Sequence, residues 1–301
     1  MIKDIDLLRK LLKLRLKSFK GHAGRRGRVG GSLPKGQTTS CQIQSPRQSP
    51  IMVPAKGKYT KAYVESLTPQ QFDEILEKRR VADLTPRQRA VEWAEKTVPE
   101  FADYKSAEKW MSTVWQTKCS FQGISIGMLN KLCKTYSALA TQFPATAEKI
   151  TFLGTGPVPS DTETFATISP SGSKYDMTLN PHFFGDPEKF RRRLNECEST
   201  NFHPSGINSP EGVLTHEFGH VVELRMEDQD IYGSLESVRH FILDERADSD
   251  LSLYACSDIS GKGQEGFAEA FAVHLLGTEK VRKHLYVVKL GSVLDDCKGM
   301  L

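Results

Sequence analysis

The stretch Gly212–Glu223, GVLTHEFGHVVE, places two histidines four residues apart, with a glutamate directly after the first. The three preceding residues are typical of a helix start. Ser209 is a good N-cap, Pro210 suits the first helical position, and the negative charge of Glu211 complements the helix dipole. The sequence therefore predicts a helix here, despite the two glycines within it.

On such a helix His216 and His220 project from one face about one turn apart, which is the geometry two imidazoles need to hold one zinc ion. Glu217 is rotated by about 100° from His216. It can therefore reach a water molecule on the metal and act as a general base. The alternative is an ordinary helix that happens to carry two histidines. A third ligand elsewhere in the sequence would favour the metal site over this alternative.

A catalytic zinc ion needs a third protein ligand and leaves its fourth position to water. One known zinc motif has a third histidine six residues after the second, but Met226 stands at that position. Glu223 lies on the histidine face, yet a straight helix carries it one turn beyond His220. A supporting or surface role is therefore expected for Glu223.

The segment 263–277, GQEGFAEAFAVHLLG, is predicted to form a second helix and offers the better ligand. Glu269 lies mid-helix between phenylalanines and alanines, where an unpaired carboxylate would be costly to desolvate. Glu269 is therefore the predicted third metal ligand, with Glu265 and Asp258 as weaker candidates. His274 is rotated by about 140° from Glu269 on an ideal helix, so it is predicted to pack or lie at the surface.

The N-terminal part of the chain is strongly basic. Residues 1–62 contain 15 lysines and arginines but two acids, whereas the rest of the chain contains 26 basic and 35 acidic residues. Residues 1–20 are predicted to form a basic amphipathic helix. Its apolar face would lie on an anionic membrane surface, dock into a protein groove or pack against the rest of the chain. Residues 21–62 read as a basic linker or arm rich in Gly, Pro and Ser, able to neutralise nucleic-acid phosphates but without aromatic residues to stack on bases between 21 and 54.

The remainder is predicted to be α+β. Residues 63–148 form a helical region packed on the core, with capped starts at Thr68 and Thr85. Residues 149–285 form the catalytic core, beginning with short strands at 150–154, 164–169 and 175–180. The last strand is predicted to border the cleft and to pair with an extended substrate. Residues 286–301 are assigned to a C-terminal tail.

Composition excludes several classes of protein. No uncharged apolar run is long enough for a membrane-spanning helix, and no cleavage site for a secretion signal follows the first twenty residues. The six cysteines are widely scattered, which favours reduced thiols over a disulfide framework.

The pair of motifs HEFGH at 216–220 and EGFAEAFA at 265–272 resembles the catalytic domain of anthrax lethal factor and lethal-factor-like metallopeptidases of toxins and phage genomes. This resemblance implies a zincin-like metallopeptidase core. It also implies that zinc is held by His216, His220 and Glu269, while Glu217 activates water.

The same family places a tyrosine upstream of its third ligand, where it can stabilise an oxyanion, and Tyr254 is the best match. The arm segment GHAGRRGRVGGSLP, residues 21–34, resembles Gly/Arg-rich segments of tailed-phage head and portal-associated proteins. That resemblance implies a phage-encoded protein in the virion or the host cytoplasm, with portal proteins, capsid proteins or packaged DNA as candidate partners.

These observations predict a zinc-dependent endopeptidase that acts on a protein or peptide substrate. His182 and His203 are expected in loops that flank the cleft. The alternative is a minor virion structural protein whose basic arm mediates assembly or DNA contact and whose metal site is structural or vestigial.

Overall fold

The computed structural model describes residues 67–160, 163–204, 206–229, 251–256, 263–297 and 300–301. The predicted amphipathic helix at 1–20, the basic arm at 21–62 and Asp258 lie outside these ranges. The chain divides into two units after Arg79, and every element that forms the candidate site belongs to the second unit, residues 80–301.

Within the described residues the fold is α+β, with a small mixed sheet among many helices. The helices are α1 (Pro69–Asp83), α2 (Pro86–Thr97), α3 (Tyr104–Trp115), α4 (Ile126–Gln142), α5 (Pro144–Ala147), α6 (Pro181–Phe184), α7 (Pro187–Ser199), α8 (Pro210–Asp228), α9 (Leu253–Cys256), α10 (Gln264–Leu276), α11 (Glu279–Arg282) and α12 (Leu285–Cys297). The strands are β1 (Lys118–Ser120), β2 (Ile150–Thr155), β3 (Ala166–Ser171) and β4 (Lys174–Leu179). No described helix is both long and apolar enough to cross a membrane.

Local sequence signals set the helix starts. Thr85 accepts a hydrogen bond from the backbone N–H of Gln88, and the Gln88 side chain accepts one from the backbone N–H of Thr85. Thr68 and Gln71 form the same reciprocal pair ahead of α1. Both predicted capped starts are therefore confirmed.

The sheet has the strand order β1-β2-β4-β3. β1, β2 and β4 run parallel, and β3 joins β4 as an antiparallel hairpin. The 175–180 strand borders the cleft as predicted, since Tyr175 lines the cavity that also contains His216 and Glu217. The prediction that this strand pairs with substrate is wrong, because β4 is hydrogen-bonded to β2 on one side and to β3 on the other and has no free edge. The edge strand beside the cleft is β3.

The helices α4, α8 and α10 share one hydrophobic core. The ring of Phe218 in α8 lies 6.3 Å from Tyr136 in α4 and 6.4 Å from Phe271 in α10, centroid to centroid. Residues assigned to a C-terminal tail form most of α12, whose buried Tyr286 and Leu290 belong to the same core. This packing brings α8 and α10 side by side, and with them the residues of the candidate site.

Candidate metal centre

The helix α8 carries the histidine pair, as predicted. The Ser209 side chain accepts a hydrogen bond from the Gly212 N–H at 3.0 Å, and Pro210 opens the helix. His216 and His220 lie on one face with their ring centroids 4.9 Å apart. The local sequence therefore places both imidazoles correctly before any tertiary contact is considered.

Two glycines in α8 permit close approaches to neighbouring residues. A β-carbon on Gly212 would lie 1.8 Å from the Ile207 carbonyl oxygen. A β-carbon on Gly219 would lie 3.0 Å from the Cα of Ala268 and 3.2 Å from Phe271. α8 and α10 therefore cross tightly at Gly219, and this crossing fixes which turn of α10 faces the histidines.

The carboxylate that joins the histidines belongs to Glu265, in the first turn of α10. Its Oε2 atom lies 3.2 Å from His216 Nε2 and 3.3 Å from His220 Nε2. One ligand atom from each of these three residues lies within 4.8 Å of the others, so the group could hold a metal ion.

The structure groups Glu265, and not the predicted Glu269, with the two histidines. Glu269 lies one turn further along α10, next to Ala268 in the tight crossing. Its fully buried carboxylate accepts a hydrogen bond from Ser252 Oγ at 2.6 Å and contacts His203 Nδ1 at 2.7 Å. A buried carboxylate needs partners, as the sequence predicted, and those of Glu269 are side chains.

The group fits the donor chemistry of zinc. Zinc takes imidazole nitrogen and carboxylate oxygen at about 2.0–2.1 Å in a tetrahedral arrangement, which separates neighbouring ligand atoms by about 3.3–3.4 Å. The Glu265 oxygen lies 3.2 and 3.3 Å from the two histidine nitrogens. These two separations match those of a zinc site, and all three ligand atoms lie within 4.8 Å of one another.

Proton affinities within the group are strongly coupled. Burial disfavours the charged form of His220, but its hydrogen bond to Glu265 and nearby carboxylates raise its pKa to about 9. Burial opposes ionisation of Glu265 as well, yet the two histidines hold the pKa of its carboxyl below the usual range. A cation bound by this group would therefore compete with protons at His220 and Glu265.

Glu217 lies at the floor of the cleft, where it is 7% exposed. Burial raises the pKa of its carboxyl, and Glu265 raises it further, although the charges of His216 and His220 oppose this effect. A carboxylate with a raised pKa binds a proton more readily than a solvated one, which suits a general base.

Tyr254, in the short helix α9, stands beside the same group. Its ring centroid lies 6.0 Å from that of His216. Burial and the negative charges of Glu265 and Glu217 raise the pKa of its hydroxyl, so Tyr254 stays protonated and can donate a hydrogen bond.

Two cavities meet at this centre. The larger, of about 870 Å³, runs between α8 and β3 and is also lined by Glu223. The smaller, of about 460 Å³, has walls of Phe165, Leu194 and Val213. His216, Glu217 and Tyr254 line both cavities, so a chain passing from one to the other would cross the centre.

The edge strand β3 presents its free backbone groups beside the larger cavity. The Asn180 N–H donates to the Phe165 carbonyl at 2.9 Å, which sets the alternation of the β3–β4 ladder. Ala166 and Ile168 then turn their N–H and C=O groups away from β4. Pro170, which has no N–H, is tolerated on such an edge.

Other residues singled out from the sequence have varied placements. His203 lines the smaller cavity, whereas His182 is not among the residues that line either of these two cavities. Gly291 in α12 lies directly against the ring of His274, so His274 packs between helices as predicted. Glu223 is 1% exposed and is therefore not a surface residue.

Sequence reasoning missed two features of the centre. It ranked Glu265 below Glu269, although the small residues that flank Glu269 were a signal for a close crossing of two helices. It also gave Ser252 no role, and no sequence pattern marks this serine as a partner of a glutamate 17 residues away.

Comparison with protein families, curated proteins and solved structures finds no match for this chain.

Proposed function

We propose that this chain is a zinc-dependent endopeptidase with a zincin-like core, which hydrolyses peptide bonds within an extended polypeptide. The observation that carries the proposal is the convergence of His216, His220 and Glu265 beside the buried Glu217 in an open cleft. His216, His220 and Glu265 are the residues that would hold the ion.

An open metal site favours catalysis over a structural role. Structural zinc sites are normally closed by four protein ligands, whereas catalytic sites have three and leave one position for water or substrate. Within the described residues, the group that could hold an ion has three members and lines the cleft. This supports the enzyme over the alternative of a virion protein with a structural or vestigial metal site.

The residues of the chain divide the chemistry between them. When bound, zinc supplies a Lewis acid that acidifies water and polarises a carbonyl group. Glu217 removes the proton from the attacking water and passes it to the nitrogen of the departing amine. The hydroxyl of Tyr254 donates a hydrogen bond to the carbonyl oxygen as negative charge develops on it.

The substrate is proposed to lie along β3 as an added antiparallel strand. The outward N–H and C=O of Ile168 would bind one residue of the substrate, in the manner of strand addition at an open sheet edge. The larger cavity, which contains this edge and Glu217, accommodates an extended chain. The smaller cavity would bind a substrate side chain on the other side of Glu217.

Strand addition predicts an alternating response to ester substitution in a peptide substrate. Replacing a substrate N–H that faces Ile168 by oxygen removes a hydrogen bond worth about 1 kcal/mol, so kcat/KM should fall about fivefold. The same replacement one residue away in the substrate, where the N–H points away from β3, should change kcat/KM less than about twofold. The reason is that paired groups alternate along a strand. A uniform response at neighbouring positions would rule out this mode of binding.

The proposed function is tested on the full chain with its metal. Purified protein is expected to contain about one zinc ion per chain and to cleave a broad peptide library. Removal of the ion with a chelator should abolish cleavage, and stoichiometric zinc should restore it. Zinc-loaded protein that cleaves no member of a broad library would contradict the proposal.

A further inference from the structure

Glu269 is a fully buried carboxylate that the proposed chemistry does not use. An uncompensated charge in such a place costs several kcal/mol, so its partners are part of its role. One oxygen accepts a hydrogen bond from Ser252, and the other lies 2.7 Å from His203 Nδ1. Glu269 therefore links α10 to two separate segments of the chain.

The first link leads to the segment that carries Tyr254. Ser252 Oγ donates to Glu269 and accepts a hydrogen bond from the Ala255 N–H at 2.9 Å. α9 spans four residues, and so short a helix has little stability of its own. Its position therefore depends on tertiary contacts, and the buried hydrogen bond from Ser252 to Glu269 is one of them.

The second link leads to the chain on the other side of Tyr254. The Leu253 N–H donates to the Asn201 carbonyl at 2.8 Å, and the Tyr254 N–H donates to the Phe202 carbonyl at 3.2 Å. The His203 ring centroid lies 5.3 Å from that of Tyr254. Glu269 thus holds both the backbone beside Tyr254 and a ring that packs against it.

We propose that Glu269 is a positioning residue that fixes Tyr254 against the metal centre through Ser252 and His203. The catalytic consequence rests on the proposed function, because Tyr254 matters to rate only if a carbonyl reacts there. The structural consequence is independent of the proposed function, because without the Glu269 carboxylate the 251–256 segment loses a buried hydrogen-bond partner. Glu269 is then essential to the site without binding the ion.

Hydrogen exchange tests the structural part without any assay of activity. In zinc-loaded Glu269→Gln the amides of Leu253, Tyr254 and Ala255 should exchange at least about tenfold faster than in the wild type, because the local opening free energy falls. Amides in the middle of α8 should keep their protection. Ser252→Ala, which removes one hydroxyl and leaves the Glu269–His203 contact, should speed exchange at Leu253 and Tyr254 with less risk to folding; Ala255 is not compared in this variant because its N–H donates to the Ser252 hydroxyl.

A double-mutant cycle tests the catalytic part. Glu269→Gln is expected to lower kcat by about 10- to 100-fold, the scale of a misplaced catalytic group, with KM nearly unchanged. In a Tyr254→Phe background the same change should cost less than about twofold, because two residues that act through one group are not additive. A general structural role would instead give the full loss in both backgrounds.

The exposed Glu279 provides a matched control, since Glu279→Gln makes the same chemical change in α11. Wild-type exchange at Leu253 and Tyr254 in both Glu269→Gln and Ser252→Ala would overturn the inference. Full additivity with Tyr254→Phe would overturn it as well, while leaving the proposed endopeptidase intact. If the wild type cleaves nothing, the proposed function fails, and the exchange rates still decide whether Glu269 anchors the segment.

Discussion

Glu217→Gln is expected to lower kcat/KM for peptide cleavage by at least about 10³-fold, within the range for loss of a general base. Glutamine keeps the size and shape of the side chain but cannot accept the proton of the attacking water. His216, His220 and Glu265 are untouched, so the variant should still bind about one zinc ion per chain. Cleavage rate and metal content, measured on the same preparation, separate loss of chemistry from loss of the site.

This change should not destabilise the folded chain. Burial raises the pKa of Glu217, which means that the folded environment disfavours its charged form. A neutral isostere removes that penalty, so the melting temperature is expected to be unchanged or higher. Glu279→Gln, at an exposed position, should leave both cleavage and melting temperature unaltered. Cleavage by Glu217→Gln at the wild-type rate would exclude Glu217 as the base.

Glu265→Gln is expected to weaken zinc binding by at least about 100-fold, which matches or exceeds the usual effect of changing a residue that only supports a ligand. The reason is the loss of the one anionic ligand among three. Glu269→Gln, one turn away on the same helix, should retain zinc affinity within about tenfold of the wild type. Competition with a chromophoric chelator measures both affinities directly.

The pair of variants distinguishes the two assignments of the third ligand. If Glu269→Gln lost zinc and Glu265→Gln retained it, the placement of Glu265 beside the histidines would be contradicted. Thermal melting gives an independent measure, because a ligand that binds only the folded state raises the melting temperature. We expect added zinc to stabilise the wild type and Glu269→Gln, and to leave Glu265→Gln nearly unchanged.

The sequence favoured Glu269 as the third ligand, whereas in the structure Glu265 lies with the two histidines. A glutamate surrounded by alanines and phenylalanines was correctly expected to be buried and in need of partners. Burial alone, however, does not identify the partner, and in the structure the partners of Glu269 are Ser252 and His203. Glu265 lies one turn earlier on α10, beside the two histidines.

The prediction that a substrate pairs with the 175–180 strand was wrong for a similar reason. Residues 174–179 have the alternation of a half-exposed strand, and β4 does form there. Which strand lies at the edge depends on how strands pair, and β4 pairs with β2 on one side and with β3 on the other, which leaves β3 at the edge. Pro170 was the available clue, since proline in a sheet is confined largely to edges and strand starts.

By itself the sequence determined the helix α8 and the shared face of His216 and His220, because capping and four-residue spacing are local properties of a helix. It also determined that Glu217 follows the first histidine at the angle a general base requires. Only the tertiary structure decided that Glu265 joins them, that β3 forms the free edge beside the cleft, and that Glu269 contacts Ser252 and His203. Each of these depends on a contact between residues distant in the chain, where the close approach at Gly219 and the pairing of strands select one arrangement.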